Sequence, residues 1–129
     1  MGMNRFTKIS LTAVAATVAL SGCGGSTTST PQTLPANVAL TVHAIHGLHF
    51  DKNTYEATAG DIVVGYVNDD TIQHSLIVVK DGTKVADFAL AVHKKSDVDS
   101  GTVNLPAGNY VIMCSVPGHQ NMKADLTVK

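Results

Sequence analysis

Cysteine is nearly absent from this chain of 129 residues, which has only Cys23 and Cys114. Two cysteines so far apart exclude a disulfide-rich scaffold. Charge is sparse as well. Asp, Glu, Lys and Arg make up 15% of the residues, and Lys and Arg form no run. Without a basic stripe, nucleic acid is excluded as a partner. Long apolar runs are lacking too: the stretch LTAVAATVAL at residues 11–20 is too short to cross a bilayer as a helix. Beyond residue 37, apolar residues do not recur with a helical period, so the fold class is not helical.

The start of the chain carries Arg5 and Lys8 and no acid, then the apolar stretch, then Leu20-Ser21-Gly22-Cys23. A basic start, a short apolar core and small residues describe an export signal over residues 1–22. LSGC resembles the bacterial lipobox, which implies lipid on Cys23 and an anchor on the extracytoplasmic side of a membrane, at a cell surface or in a periplasm. Residues 24–37, GGSTTSTPQTLPAN, are uncharged and rich in Gly, Ser, Thr and Pro. Residues 23–36 are therefore expected to form a lipidated, flexible tether, and residues 37–129 a folded head. Without residues 1–22, seven Lys and Arg face ten acids, a net charge of −3 with histidine neutral. Cys114 is then a lone thiol in an exported protein, a liability unless it is occupied or protected.

The head reads as short β-rich segments broken by turn signals. The segments are 38–45, 54–59, 61–68, 73–80, 84–90, 102–105, 109–114 and 122–128. Asp81-Gly82 is a hairpin signal, and Pro106-Ala107-Gly108 marks another turn. Residues 93–101 are polar and fit a loop or a short helical turn. Seven to eight short strands with regular turns predict an all-β, Greek-key sandwich or barrel.

Alternation along strands predicts which side chains share a face. His74, Leu76 and Val78 share one, as do Tyr110, Ile112 and Cys114, and Met122, Ala124, Leu126 and Val128. Each set is apolar except for one residue with a donor atom at the strand end. The loop between the last two sets is CSVPGHQNM, residues 114–122, and it contains His119. By itself Cys114 is equally a buried core thiol, and Met122 a core side chain. A Cys–His hydrolytic pair would need a third orienting group and an oxyanion element, which the sequence context does not offer. Catalytic zinc would want an open position and a nearby general base, whereas no acid lies between Cys114 and Met122. Structural zinc favours four Cys or His ligands. Two imidazoles, one thiolate and a thioether instead suit copper.

Three stretches carry a closer likeness. NDDTIQHSLIV (68–78), LPAGNYVIMCSVPGHQNM (105–122) and the closing KADLTV resemble the cupredoxins, as does FDKNTYEATAGDIVVGYVN (50–68). Members share an early histidine after an Asn-containing turn, a strand leading to cysteine, and a closing Cys…Pro-Gly-His…Met loop. The loop departs from the commoner pattern in having two residues, Gln120 and Asn121, between His119 and Met122 where many members have four. The resemblance implies a cupredoxin-like fold with one copper ion per chain, held by His74, Cys114, His119 and Met122. It implies single-electron exchange with redox partner proteins rather than enzymatic turnover, and a monomer. A copper-delivery lipoprotein using the same ligands is the alternative. Asn68 or Asp69, and the backbone N–H of Ser115 or Val116, are expected to support the ligands. His43, His46 and His49 read as solvent-facing or as an auxiliary metal site, and His93 as a surface loop residue.

Overall fold

The computed structural model describes residues 32–129. The export signal, the lipid site Cys23 and most of the tether lie outside the described residues. Nine strands follow: β1 (Leu40–Ile45), β2 (His49–Phe50), β3 (Thr54–Ala57), β4 (Gly60–Asn68), β5 (His74–Lys80), β6 (Thr83–Val92), β7 (Val98–Leu105), β8 (Gly108–Met113) and β9 (Lys123–Val128). Among the described residues there is no helix. One sheet has the order β2-β1-β4-β7, the other β3-β9-β8-β5-β6. β1 runs parallel to β4 and β3 parallel to β9; the remaining neighbours are antiparallel. The expected all-β sandwich is present.

Alternation explains how the two sheets close on each other. Val42 and Ala44 of β1, with Ile62 and Val64 of β4, are buried from one sheet. Leu76, Val78, Ile112 and Leu126 meet them from the other. Each of these Val, Ile and Leu side chains contributes roughly 1.5–3 kcal/mol when fully withdrawn from water. Tyr66 lies wholly inside, and its hydroxyl donates to the Ser75 carbonyl at 3.2 Å, tying β4 to β5 across the core.

Asp81 and Gly82 take φ of 50° and 78°, the left-handed pair that a tight hairpin between β5 and β6 requires. Three elements differ most from the sequence reading, the first being the two-residue β2, which it did not contain. β6 is the longest strand, although 84–90 carries only a weak pattern. Residues 98–101, expected to be irregular, open β7 and pair with β4 from Val67↔Val98 to Val64↔Gly101. β7 is an edge strand and its first four residues are only half-buried, so VDSG shows no apolar alternation. A Cβ on Gly101 would sit 3.2 Å from side-chain carbons of Phe88 and Leu90, so glycine there lets β7 approach β6 closely.

Candidate metal centre

Three neighbouring strands of the larger sheet end at one pole. His74 is the first residue of β5, Cys114 follows the last residue of β8, and Met122 precedes the first residue of β9. β8 lies between β5 and β9, so the three positions converge. The connecting loop is held by its own backbone. Cys114 N–H donates to the Met122 carbonyl at 3.0 Å, Met122 N–H to that of His119 at 2.8 Å, and His119 N–H to that of Val116 at 3.0 Å. Gly118 adopts φ of 89°, which a residue with a Cβ rarely takes.

His74 and Cys114 are completely buried, and His119 is partly exposed. Ligand atoms of these three residues lie within 4.8 Å of one another. Cys114 Sγ and His119 Nδ1 are 3.6 Å apart. With metal–sulfur near 2.3 Å and metal–nitrogen near 2.0 Å, donors 120° apart on one ion would be separated by about 3.7 Å. The two imidazole centroids are 5.2 Å apart. Met122 is buried with no exposed surface, joined to Cys114 and His119 through its backbone.

A metal fits on the chemistry of the donors. His74 Nε2 lies 3.1 Å from Asp70 Oδ2, while His74 Nδ1 is buried without any hydrogen-bond partner. An unpaired buried ring nitrogen costs free energy unless something takes its lone pair. If the carboxylate holds a proton at Nε2, Nδ1 is left with that lone pair, and the potential ligand atoms of His74, Cys114 and His119 lie close together at this pole.

The surrounding hydrogen bonds differ from those expected. Asp70, rather than Asp69, meets His74, and Asn68 acts one step further out. Asn68 Oδ1 accepts from the Asp70 N–H at 3.0 Å, and its amide donates to the Ile72 carbonyl at 2.8 Å. Asp69 turns instead to His43 Nδ1 at 2.6 Å. The bond from the Thr71 N–H holds the Asp70 carboxyl below the usual carboxylate range against its own burial, with His74 and His46 adding to the effect. The N–H reaching Cys114 Sγ is that of Ser75, at 3.3 Å. Ser115 N–H goes to Ser75 Oγ at 2.8 Å, and among the described residues neither Ser115 nor Val116 donates its N–H to the sulfur. Asp70 was findable: it stands four residues before His74 in the same turn as the two residues favoured over it. Nothing in the sequence distinguishes Ser75 from its neighbours.

The remaining histidines form no second centre. His43 pairs with Asp69, and His46 lies 3.5 Å from Asp70. His49 and His93 are exposed. Among the described residues, His74, Cys114 and His119 are the one group of three potential ligands brought this close.

No protein-family model and no curated protein matches this chain. Solved structures do. Auracyanin A, a "blue" copper protein from the green thermophilic photosynthetic bacterium Chloroflexus aurantiacus, is 24% identical, with 71% of this chain and 98% of that one covered and a TM-score of 0.62. The purple cupredoxin from Nitrosopumilus maritimus is 19% identical, with 70% and 99% covered and a TM-score of 0.56. This chain has the cupredoxin fold. An azurin from Methylomonas sp. strain J shares the fold at 12% identity, with 73% and 99% covered and a TM-score of 0.60. The cupredoxin fold thus accounts for nearly all of each neighbour and for most of the described head.

Proposed function

We propose that this chain is a mononuclear copper protein that carries single electrons, with His74, Cys114 and His119 holding the ion and Met122 as a weak additional donor. The observation that carries this reading is the buried, unpartnered Nδ1 of His74 beside a buried thiol and a second imidazole. One thiolate with two imidazoles, and a buried methionine closing the same loop, selects copper over a closed zinc site. Copper, one ion per chain, would supply the one-electron couple.

The chain's own residues do the rest. Cys114 contributes the thiolate, and the Ser75 N–H withdraws some of its charge. His74 opens β5 and Cys114 directly follows β8, the strand paired with it, and both are buried, so their donor atoms have little freedom to rearrange. His119 is the partly exposed member and offers the edge through which an electron leaves or enters. The role is carriage of electrons between redox partner proteins rather than turnover of a substrate. Lipid on Cys23 and the Gly/Ser/Thr tether would hold the monomeric head near the extracytoplasmic face of a membrane.

Copper titration of the full chain, followed by its visible spectrum and voltammetry, tests the reading. An intense thiolate-to-copper band with reversible one-electron behaviour is expected. Tight Cu(I) binding without that band would mark a copper carrier instead. Undiminished copper binding in Cys114→Ser would overturn the ligand assignment. For the anchor, Cys23→Ser should leave the membrane fraction.

A further inference from the structure

The acid that meets His74 has a more complete setting than a chance contact. Asp70 is 4% exposed. Its Oδ2 lies 3.1 Å from His74 Nε2, and its Oδ1 accepts from the Thr71 N–H at 2.7 Å and lies 3.5 Å from His46 Nδ1. Its backbone N–H is held by Asn68 Oδ1 at 3.0 Å, and the Asn68 amide holds the Ile72 carbonyl at 2.8 Å. Asn68 is itself fixed from behind, since its N–H donates to the Asp97 carbonyl and its carbonyl accepts from the Ser96 N–H. The turn from residue 68 to residue 74 is therefore built around one carboxylate aimed at one imidazole. Asp69, next to it, is turned away to His43.

We infer that Asp70 is the positioning residue for His74: it fixes the Nε2–H tautomer and the ring orientation, and its negative charge favours Cu(II) over Cu(I) at the site. This rests on the copper reading above. A carboxylate accepting from the remote nitrogen of a ligand imidazole raises the basicity of the coordinating nitrogen and sets which nitrogen that is. Buried charges are screened little by salt. A negative charge beside the site stabilises the more positive oxidation state more, so the chain's reduction potential is lowered by Asp70. His46, on the outer side of the same carboxylate, is exposed and acts only as its surface partner.

Asp70→Asn keeps the shape and an acceptor oxygen but removes the charge. The expected result is a retained thiolate band with the ratio of Cu(II) to Cu(I) affinity reduced about tenfold, equivalent to a rise of about 59 mV for a one-electron couple. Imidazole ¹⁵N spectra of the metal-free full chain supply a readout independent of copper. His74 should carry its proton on Nε2 in the parent protein and in His46→Ala, and lose that preference in Asp70→Ala. A potential unchanged in Asp70→Asn, or a parent His74 protonated on Nδ1, would overturn the inference. Should the Asp70 variants not fold, the parent tautomer still decides. A parent chain that shows the Nε2–H tautomer but no thiolate–copper band would sink the copper reading and leave the Asp70–His74 contact standing.

Discussion

The backbone N–H of Ser75 points at the sulfur of Cys114 across 3.3 Å, and the Ser75 hydroxyl accepts the Ser115 N–H at 2.8 Å. One residue next to His74 thus clamps both the thiol and the residue after it. Ser75→Ala removes the hydroxyl contacts and leaves the N–H in place. We expect a stability loss of about 1 kcal/mol in denaturant titrations, with copper uptake and the thiolate band preserved. A loss of copper binding would mean that the hydroxyl, rather than the backbone, holds the sulfur.

Gly118 sits at φ of 89° with nothing within 4 Å of a Cβ placed there. The space is open, so a substitution is opposed by backbone conformation alone. Gly118→Ala should cost about 1–2 kcal/mol and displace the partly exposed His119, lowering copper affinity more than it lowers the melting temperature of the metal-free protein. Equal stability of the two proteins by thermal unfolding would refute the strain.

Met122 is fully buried, and its role divides cleanly by substitution. Met122→Leu nearly conserves volume, so the stability of the metal-free chain should change by less than about 1.5 kcal/mol. On the proposed ligand set, loss of the thioether should raise the one-electron potential, because a donor that would stabilise Cu(II) is removed. An unchanged potential by voltammetry would reduce Met122 to a core side chain.

At the β1–β3 corner, Asp51 accepts from the Tyr55 hydroxyl at 2.6 Å and from the His43 N–H at 2.9 Å. Partial burial pushes the Asp51 carboxyl up, but these hydrogen bonds and the His43 charge outweigh it and hold it below the usual range. A depressed carboxyl contributes stability that is complete above its unfolded value of about 3.9 and is lost as pH falls through the folded value. Denaturation midpoints followed into acid should therefore fall less steeply in Asp51→Asn than in the parent chain. Parallel acid limbs would show that Asp51 contributes nothing to the pH dependence.

Burial, then the Asp51 hydrogen bond and charge, push the Tyr55 phenol upward; burial, then the Cys114 charge, do the same for Tyr66. Raised phenols contribute stability that is complete below the unfolded value of about 10 and is lost as pH rises through the folded one. Tyrosinate absorbance should accordingly appear for these two side chains only beyond the ordinary phenol range, together with unfolding. In Tyr110→Phe, where Tyr55 and Tyr66 are the only tyrosines left, tyrosinate absorbance within the ordinary phenol range and ahead of unfolding would refute the shift.

Much of the head is legible along the chain. Alternation identifies the inward residues of β5, β8 and β9, because side chains in a strand point to opposite faces at every step. His74, Leu76 and Val78 are all buried, as are Tyr110, Ile112 and Cys114, and Met122, Ala124, Leu126 and Val128. The Asp81-Gly82 hairpin is legible for a similar reason: few residues accept the backbone that such a turn demands. The opening of β7 is not legible. VDSG lies on an edge with no apolar face of its own, and only its pairing with β4 makes it a strand.

The same division runs through the site. The sequence by itself determined that Cys114, His119 and Met122 share one short loop and that His74 begins an inward-facing strand, because both follow from spacing and strand period. Only the tertiary structure decided which neighbours serve those residues. Asp70 rather than Asp69 faces His74, since Asn68 grips the Asp70 backbone while His43 on another strand draws Asp69 away. Ser75 rather than Ser115 faces the sulfur, since β5 and β8 run antiparallel and bring the Ser75 N–H to Cys114. These choices depend on partners 26 and 39 residues away in the chain, and local pattern carries no record of contacts at that separation.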